Sequence, residues 1–352
     1  MKKGIKITLI TVTAIAVVIG VSGFVSFKGI YGRINHEEVK GQEISQAEKE
    51  EYIRGEQDDG LTDSDFDTIN EIDKQIEENL ANAEELDFND GVFNILLIGS
   101  DERETVSGSR SDCMIICSLN EETKEITLTS LMRDCYVSIE GHENNRLNAA
   151  YAFGGTELLI DTIESNFKIP IDRYMKIDFF AFMDIVDIMG GIDMELSEDE
   201  IKVLNDYLVE VNEILGEQGQ DRIDGKAGIY HLNGKQTLAY MRNRYTGNGD
   251  FSRTERQRKV LLALKDNLSS CSIIDLCKLA NAGLSYVTTD IKENEFFSLL
   301  TEFPSYIKND ISSNRVPYDG TYKYATIRKM SVLSLDFNKN IEFLRRDIYN
   351  QE

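Results

Sequence analysis

The chain has 352 residues, 41% of them hydrophobic, with 62 Asp and Glu against 38 Lys and Arg for a net charge of −24. That balance argues against a nucleic-acid binder, which needs a basic footprint to release counterions. The three histidines, His36, His142 and His231, form no H-E-x-x-H or Cys/His pattern, and no G-x-S-x-G elbow is present, so zinc and Ser-His-Asp chemistry lack an anchor. The length accommodates a membrane segment, a linker and one large domain of roughly 250 residues.

Residues 1–34 read as a basic head followed by an anchor. Met1 to Lys6 carries three lysines, and Ile7 to Phe27 then runs without a charge. That is about 21 residues, or about 31 Å of helix, which matches a bilayer core. The lysine-rich head and the acidic flank beyond predict a cytoplasmic N-terminus and an extracytoplasmic bulk at the cell membrane. Val21-Ser22-Gly23 offers small residues for cleavage, but the stretch is longer than a signal-peptide core and lacks an A-x-A site, which favours an uncleaved anchor.

Residues 35–90 read as an acidic spacer, with 20 Asp and Glu against 4 Lys and Arg. Glu37–Gln57 has helical spacing, but this first half of the spacer lacks an apolar stripe. Asp65–Leu86 carries Phe66, Ile69, Ile72, Ile76 and Leu80 at helical spacing, as expected of an amphipathic helix docked on the domain.

Residues 91–352 read as one α/β domain. Strands are predicted at Val92–Ile98, Cys113–Leu119, Ile126–Leu131, Tyr174–Asp178 and Ile192–Glu195, with Asn120 to Lys124 turning the second into the third as a hairpin. Helices are predicted at Thr156–Phe167, Phe179–Met189, Asn233–Met241 and Ser252–Asn267, with a shorter one near Lys292–Phe303. Gly154-Gly155 and Gly190-Gly191 punctuate them. This order suggests a sheet with helices on both faces.

The organising feature is where the charges gather. The apolar run Phe93 to Ile98 ends in Gly99-Ser100-Asp101, and another strand-like run ends in Arg133-Asp134. Strand ends thus deliver arginines and carboxylates to one edge of a sheet, where open α/β sheets bind ligands. Nine of the 17 arginines fall in four clusters: Arg103 and Arg110; Arg133 and Arg146; Arg242 and Arg244; Arg253, Arg256 and Arg258. Arginine suits bidentate contacts to phosphate oxygens. Arg242 and Arg244 are expected on a frayed helix end, where an extended turn presents both together. Ser252 is expected to cap the next helix with Glu255 as its capping-box partner, which places Arg253, Arg256 and Gln257 on one side of its positive dipole end. Asp101 and Asp112 are the carboxylates among these arginines and suit a hard divalent cation that also takes phosphate oxygens; simple pairing with the arginines is the alternative. Together these residues suggest an extracytoplasmic enzyme acting on a polyphosphate anion, where charge neutralisation and alignment do most of the chemistry.

Five cysteines, Cys113, Cys117, Cys135, Cys271 and Cys277, form no Cys-x-x-Cys. Buried free thiols are expected, with a cross-strand meeting of Cys113 and Cys135 as the alternative.

The ordered series of motifs resembles the LytR-CpsA-Psr family of bacterial cell-wall proteins. The matching stretches are Asn94 to Asp101, Arg110-Ser-Asp112-x-Met114, Arg133-Asp134-x-Tyr136-Val137, Leu147-Asn148 to Gly155, Gly190-Gly191-Ile-Asp193, Leu232-Asn-Gly to Arg244, and Gly249-Asp250-Phe251-x-Arg253-x-x-Arg256-Gln257. Met132, Cys113 and Cys135 depart from the family pattern without removing a charged group. The resemblance implies a three-layer α-β-α sandwich with a central mixed sheet and a lipid chain in an apolar tunnel between sheet and helices, lined in part by Phe179-Phe180-Ala181-Phe182. It implies a phosphotransferase that moves a glycopolymer, such as teichoic acid or capsule, from a polyprenyl-pyrophosphate carrier to peptidoglycan by a phosphodiester. On that reading Asp101, Arg133, Arg242 and Arg244 are catalytic. Arg103, Arg110, Arg253, Arg256 and Gln257 bind phosphate, and Asp101 and Asp112 hold Mg²⁺ or Mn²⁺. The general base is open between Asp101 and Asp134. The rival readings are a polyprenyl-pyrophosphate hydrolase using water as acceptor, and a non-enzymatic membrane-anchored polymer-binding or regulatory protein.

Overall fold

The computed structural model describes residues 28, 29, 31–37, 63–81, 91–100, 111–217, 221–269, 279 and 282–350. The expected membrane segment 7–27 and most of the first half of the spacer lie outside them. Among the described residues no helix is long and apolar enough to cross a membrane.

A seven-stranded mixed sheet forms the centre. Its strands are β1 (Asn35–His36), β2 (Val92–Ser100), β3 (Ser111–Asn120), β4 (Ile126–Leu131), β7 (Arg173–Asp178), β10 (Thr288–Thr289) and β11 (Ile311–Val316), in the spatial order β1-β10-β7-β2-β3-β4-β11. β2, β3 and β4 are antiparallel neighbours, and β7 and β11 run parallel to β2 and β4. The Asn120–Lys124 turn closes the expected β3–β4 hairpin, with Asn120 Oδ1 accepting from the Glu122 and Thr123 backbone N–H groups at 3.0 and 2.8 Å. Side-chain alternation along β2 explains its near-continuous apolar run. Leu96 and Ile98 enter one core and Ile95 and Leu97 the other, because both faces are covered.

The first face carries α1 (Asp63–Ala81), α2 (Leu147–Phe167) and α8 (Phe337–Tyr349). Ile69, Ile72 and Ile76 of α1 are buried there beside Leu159, Ile163 and Phe167 of α2 and Leu344 of α8. The spacer's amphipathic stripe therefore joins the main core. In α2 the residues Gly154 and Gly155 leave helical geometry, Gly155 at φ 65°, so α2 is two helices joined at a kink and the glycine pair precedes the second of them, as expected. The hairpin of β12 (Tyr322–Ile327) and β13 (Met330–Leu335) closes this side, with a short ladder of β5 (Tyr136–Val137) and β6 (Asn145–Arg146) nearby.

On the second face stand α3 (Phe179–Ile188), α4 (Glu198–Leu215), α5 (Gly234–Arg242), α6 (Asp250–Ser269) and α7 (Glu293–Tyr306). The expected strand at Ile192–Glu195 is β8 (Ile192–Leu196), but it lies outside the central sheet. It pairs with β9 (Gly228–Leu232), and its inward residues Ile192, Met194 and Leu196 pack among α4 and α6 in a separate cluster. Gly191 between α3 and β8 sits at φ 89°, and a Cβ there would come within 2.6 Å of His231 Nε2. Cys113, Cys117 and Cys135 are free thiols. Cys113 packs on the second face while Cys135 is fully buried in the first-face core, so the sheet stands between them and no bridge forms. Cys271 and Cys277 lie outside the described residues.

Candidate active site

A cavity of about 440 Å³ lies between the second face of the sheet and helices α3, α4, α5 and α6. Its floor is made by Leu97, Ile115 and Ile177, and its roof by Phe182, Leu238 and Leu261. Of the expected Phe179 to Phe182 lining, Phe179 and Phe182 face the cavity, Ala181 is buried and Phe180 is 36% exposed. Asp178 caps α3 by accepting from the Ala181 N–H at 2.7 Å, which fixes the direction of these rings. Gly234 lets α5 approach α3, because a Cβ there would meet the Met183 carbonyl oxygen at 2.2 Å. Gly99 likewise lies against the Cβ of Cys113, where the β2–β3 register slips. The cavity is thus an apolar slot whose walls depend on two close backbone approaches.

Arg242, Arg244, Arg253 and Gln257 also line the slot. The end of α5 presents the first two as expected. Asn243 caps the helix in an extended conformation (φ −63°, ψ 117°), and its buried side chain accepts from the Tyr245 and Thr246 N–H groups at 3.0 and 3.2 Å. Arg242 lies over the rings of Phe179 and Tyr207, each 5.5 Å from its guanidinium carbon, and donates to Glu210 Oε1 at 2.9 Å. Its orientation is therefore set by stacking and by a carboxylate together.

Arg133, expected beside these groups, joins them through Asp250. Arg133 Nε lies 3.4 Å from Asp250 Oδ1, and Arg253 Nη2 lies 2.8 Å from the same oxygen. Arg133 Nε is also 3.8 Å from Asp134 Oδ1, which in turn is 3.6 Å from Arg146 Nη1. Arg253 is 2% exposed. Burial pushes the Asp134 carboxyl above its ordinary value; Arg133 opposes that rise and Asp250 adds to it. The arrangement brings strand-end and helix-start arginines to one place, with two carboxylates setting their spacing.

Two expected features differ. Ser252 does not cap α6, which begins at Asp250; its hydroxyl instead accepts from the Asn248 N–H at 2.7 Å and tightens the preceding turn. Glu255 pairs with Lys259 at 2.9 Å. Arg256, expected on phosphate, is 6% exposed and turned away from the slot. Its Nε donates to Glu200 Oε1 at 3.0 Å, Nη1 to the Asn243 carbonyl at 3.0 Å and Nη2 to the Thr246 carbonyl at 3.2 Å. It holds the turn that presents Arg242 and Arg244. Burial alone would raise the Glu200 carboxyl, but hydrogen bonds from Ser197 and Arg256 hold it below its ordinary value. Arg258 donates to Ser130 Oγ at 2.8 Å. Its pKa is lowered by burial and by Arg315.

Asp101, Arg103 and Arg110 lie outside the described residues, as does the side chain of Asp112. Ser100 and Ser111, which precede the two aspartates in the chain, are paired across β2 and β3. Two carboxylates following such a pair fit in number and type the hard-oxygen set that Mg²⁺ takes alongside phosphate oxygens. Among the described residues no cluster of three or more His, Cys, Asp or Glu stands ready to hold a metal.

Asp250, Tyr207 and Glu210 are site residues that the sequence reading did not single out. Asp250 sits within the Gly249-Asp250-Phe251 motif, and that spacing was its only local signal. Tyr207 and Glu210 belong to α4, whose own signature, Ser197 with Glu200 in a full capping box ahead of Ile201, Leu204 and Leu208, was present in the sequence.

The fold and site define an α/β protein with an apolar slot against its sheet and arginines in the lining of that slot. The LytR_cpsA_psr family model matches residues 41–342, and the chain belongs to that family. It is 34% identical over 241 residues to the polyisoprenyl-teichoic acid–peptidoglycan teichoic acid transferase TagV of Bacillus subtilis, a match that covers 67% of this chain and 59% of TagV. It is 34% identical over 248 residues to the corresponding transferase TagU of Enterococcus faecalis, covering 69% and 73% of the two chains. The crystal structure of B. subtilis TagV superposes with a TM-score of 0.58 at 28% identity, over 75% of this chain and all of TagV. TagT with bound octaprenyl pyrophosphate lipid shares the fold, with a TM-score of 0.54 at 23% identity over 76% of this chain and 94% of that one.

Proposed function

We propose that this protein is a membrane-anchored phosphotransferase that moves a glycopolymer from a polyprenyl-pyrophosphate carrier to peptidoglycan. The observation that carries the reading is the junction of an apolar slot of about 440 Å³ with Arg242, Arg244 and Arg253 in its lining. A polyprenyl chain needs the slot and a pyrophosphate needs the arginines; a soluble phosphate ester would need only the second. Family membership and the transferase activities named for TagV and TagU support the same reaction.

In the proposed reaction an acceptor sugar hydroxyl attacks the phosphorus bonded to the glycopolymer. The new P–O bond completes a phosphodiester, the bond from that phosphorus to the bridging oxygen breaks, and polyprenyl phosphate leaves. Arg133 and Arg253, set by Asp250, neutralise charge on the transferring phosphate, while Arg242 and Arg244 hold the pyrophosphate at the mouth of the slot. Asp101 and Asp112 would hold Mg²⁺ or Mn²⁺, which supplies further neutralisation of the phosphate oxygens. The hydroxyl proton passes to a carboxylate. Asp134, with its carboxyl raised towards the working pH by burial, suits that role among the described residues. The charge-free run 7–27 is the proposed anchor, and the domain works outside the cell.

The test uses the full chain in detergent with Mg²⁺, a polyprenyl-pyrophosphate-linked wall glycopolymer and peptidoglycan. The expected result is a phosphodiester-linked product that disappears in Arg133→Ala and in Asp101→Ala, both of which stay folded. Undiminished turnover in both variants would overturn the site assignment.

A further inference from the structure

A second concavity, of about 610 Å³, lies on the first face between α1 and the β12–β13 hairpin. Glu71, Gln75 and Glu78 of α1 form one wall, and Tyr322, Lys323 and Tyr324 the other. The charges are mixed in sign, with Asp336 and Lys339 paired at 2.8 Å along its edge. A groove of that kind does not select a polyanion. It offers carboxylates, an amide and aromatic faces, which is how proteins hold neutral, hydroxyl-rich sugars, with hydrogen bonds at the edges of the rings and aromatic contact on their apolar faces.

An aromatic row ties this groove to the arginine site. Tyr324, 64% exposed, meets Tyr322 edge to face at 5.8 Å. Tyr322 stacks on Phe251 at 5.2 Å, and Arg315 lies over Phe251 at 4.6 Å. Phe251 follows Asp250, the carboxylate that joins Arg133 to Arg253. The first turn of α6 therefore straddles the two concavities. Residues two apart on a helix point in nearly opposite directions, so Phe251 packs in the first-face core while Arg253 lines the slot. The slot on one face and the groove on the other meet at the same helix start.

We propose that the groove between α1 and the β12–β13 hairpin binds the glycan strand of the acceptor and leads it along Tyr324 and Tyr322 to the phosphate held at Asp250, Arg133 and Arg253. The assignment rests on the phosphotransferase reading for its reaction, and on the aromatic row and the lining for its ligand. It gives the acidic spacer a part in the chemistry, because α1 supplies one wall of the substrate groove.

The experiment compares the full chain with Tyr324→Ala and Tyr324→Phe in detergent. Truncating so exposed a ring leaves the core intact. With uncross-linked peptidoglycan glycan strands as variable acceptor, Tyr324→Ala is expected to raise the acceptor KM about five- to tenfold, with the donor KM unchanged, and Tyr324→Phe to restore it. In a separate arm, a β-1,4-linked N-acetylglucosamine oligomer is titrated into donor-free protein and followed by tyrosine fluorescence, since the chain has no tryptophan. A saturable change in the wild type that Tyr324→Ala abolishes is the expected result. An acceptor KM unmoved by Tyr324→Ala, or oligomer binding that survives it, overturns the groove. Tyr324-dependent binding in a wild-type protein that never transfers polymer would instead overturn the phosphotransferase reading and leave the groove standing.

Discussion

Arg133 and Arg253 share one oxygen atom. Arg133 approaches Asp250 Oδ1 at 3.4 Å from the end of β4, and Arg253 approaches it at 2.8 Å from the first turn of α6. Two like charges held so near each other need a counter-charge between them when no substrate is bound, and Asp250 provides it from a position 13% exposed. Replacing it by Asn keeps the shape and removes the charge. Asp250→Asn is expected to lower kcat for transfer about 100-fold, the scale of a small misplacement of catalytic groups, with an unchanged circular dichroism spectrum. Initial rates within threefold of the wild type would show that the arginines keep their places without it.

The carboxyl of Asp134 makes a prediction about pH. Burial raises it above its ordinary 3.8, more than Arg133 pulls it down. A carboxyl with a folded value above its unfolded one favours folding while protonated. That contribution is complete below the unfolded value and is lost as pH rises through the folded value. Asp134→Asn is uncharged at every pH and escapes the loss. It should melt above the wild type at neutral pH, and the two curves should converge near about pH 4. A variant melting below the wild type at neutral pH would mean that the ion pairs to Arg133 and Arg146 outweigh desolvation.

Arg256 tests whether the mouth of the slot is built or merely populated. Removing it leaves Glu200 18% exposed without its guanidinium and frees the Asn243–Thr246 turn. Arg256→Ala is expected to destabilise the fold by about 3 kcal/mol, read by denaturant unfolding. It should also raise the donor KM, because Arg242 and Arg244 lose their fixed presentation. Arg256→Lys should rescue little, since one ammonium cannot replace contacts from three nitrogens of a planar fork.

Leu97 lies on the floor of the slot. Leu97→Trp would fill part of the space that a lipid chain needs. The variant is expected to lose transfer from long-chain polyprenyl donors while keeping transfer from short-chain analogues with the same pyrophosphate, measured as kcat/KM for each. Equal loss for both lengths would indicate damage to the headgroup site and count against the slot as the lipid's seat.

What could be read from the sequence divides along physical lines. β2, β3 and β4 announce themselves because burial on both faces demands continuous apolar residues, and Ile126–Leu131 is bounded in the structure as its sequence predicts. β11 has the sequence Ile-Ser-Ser-Asn-Arg-Val at the sheet edge, where one side needs no strand partner and polar residues are tolerated, so no apolar signal marks it. Arg242 and Arg244 were legible as a pair because a frayed helix end is a local event. Arg256 was not separable from Arg253, since helical spacing puts both near one side and only the distant Glu200 draws it away. Asp250 is the clearest case of a non-local role. Nothing in Gly-Asp-Phe says that a strand end far earlier in the chain will deliver Arg133 to the same carboxylate.

The straddling of the sheet by the first turn of α6 has a kinetic consequence. On the proposed assignment of the donor to the slot and the acceptor to the groove, neither blocks entry of the other, and no covalent enzyme intermediate is required to carry the polymer between separate visits. Double-reciprocal plots with both substrates varied should therefore intersect, as for a ternary complex formed in either order, instead of running parallel as in a ping-pong cycle. On the same assignment polyprenyl phosphate would leave along the slot while the polymer-bearing wall strand is still in its groove, so the release of the two products would be uncoupled.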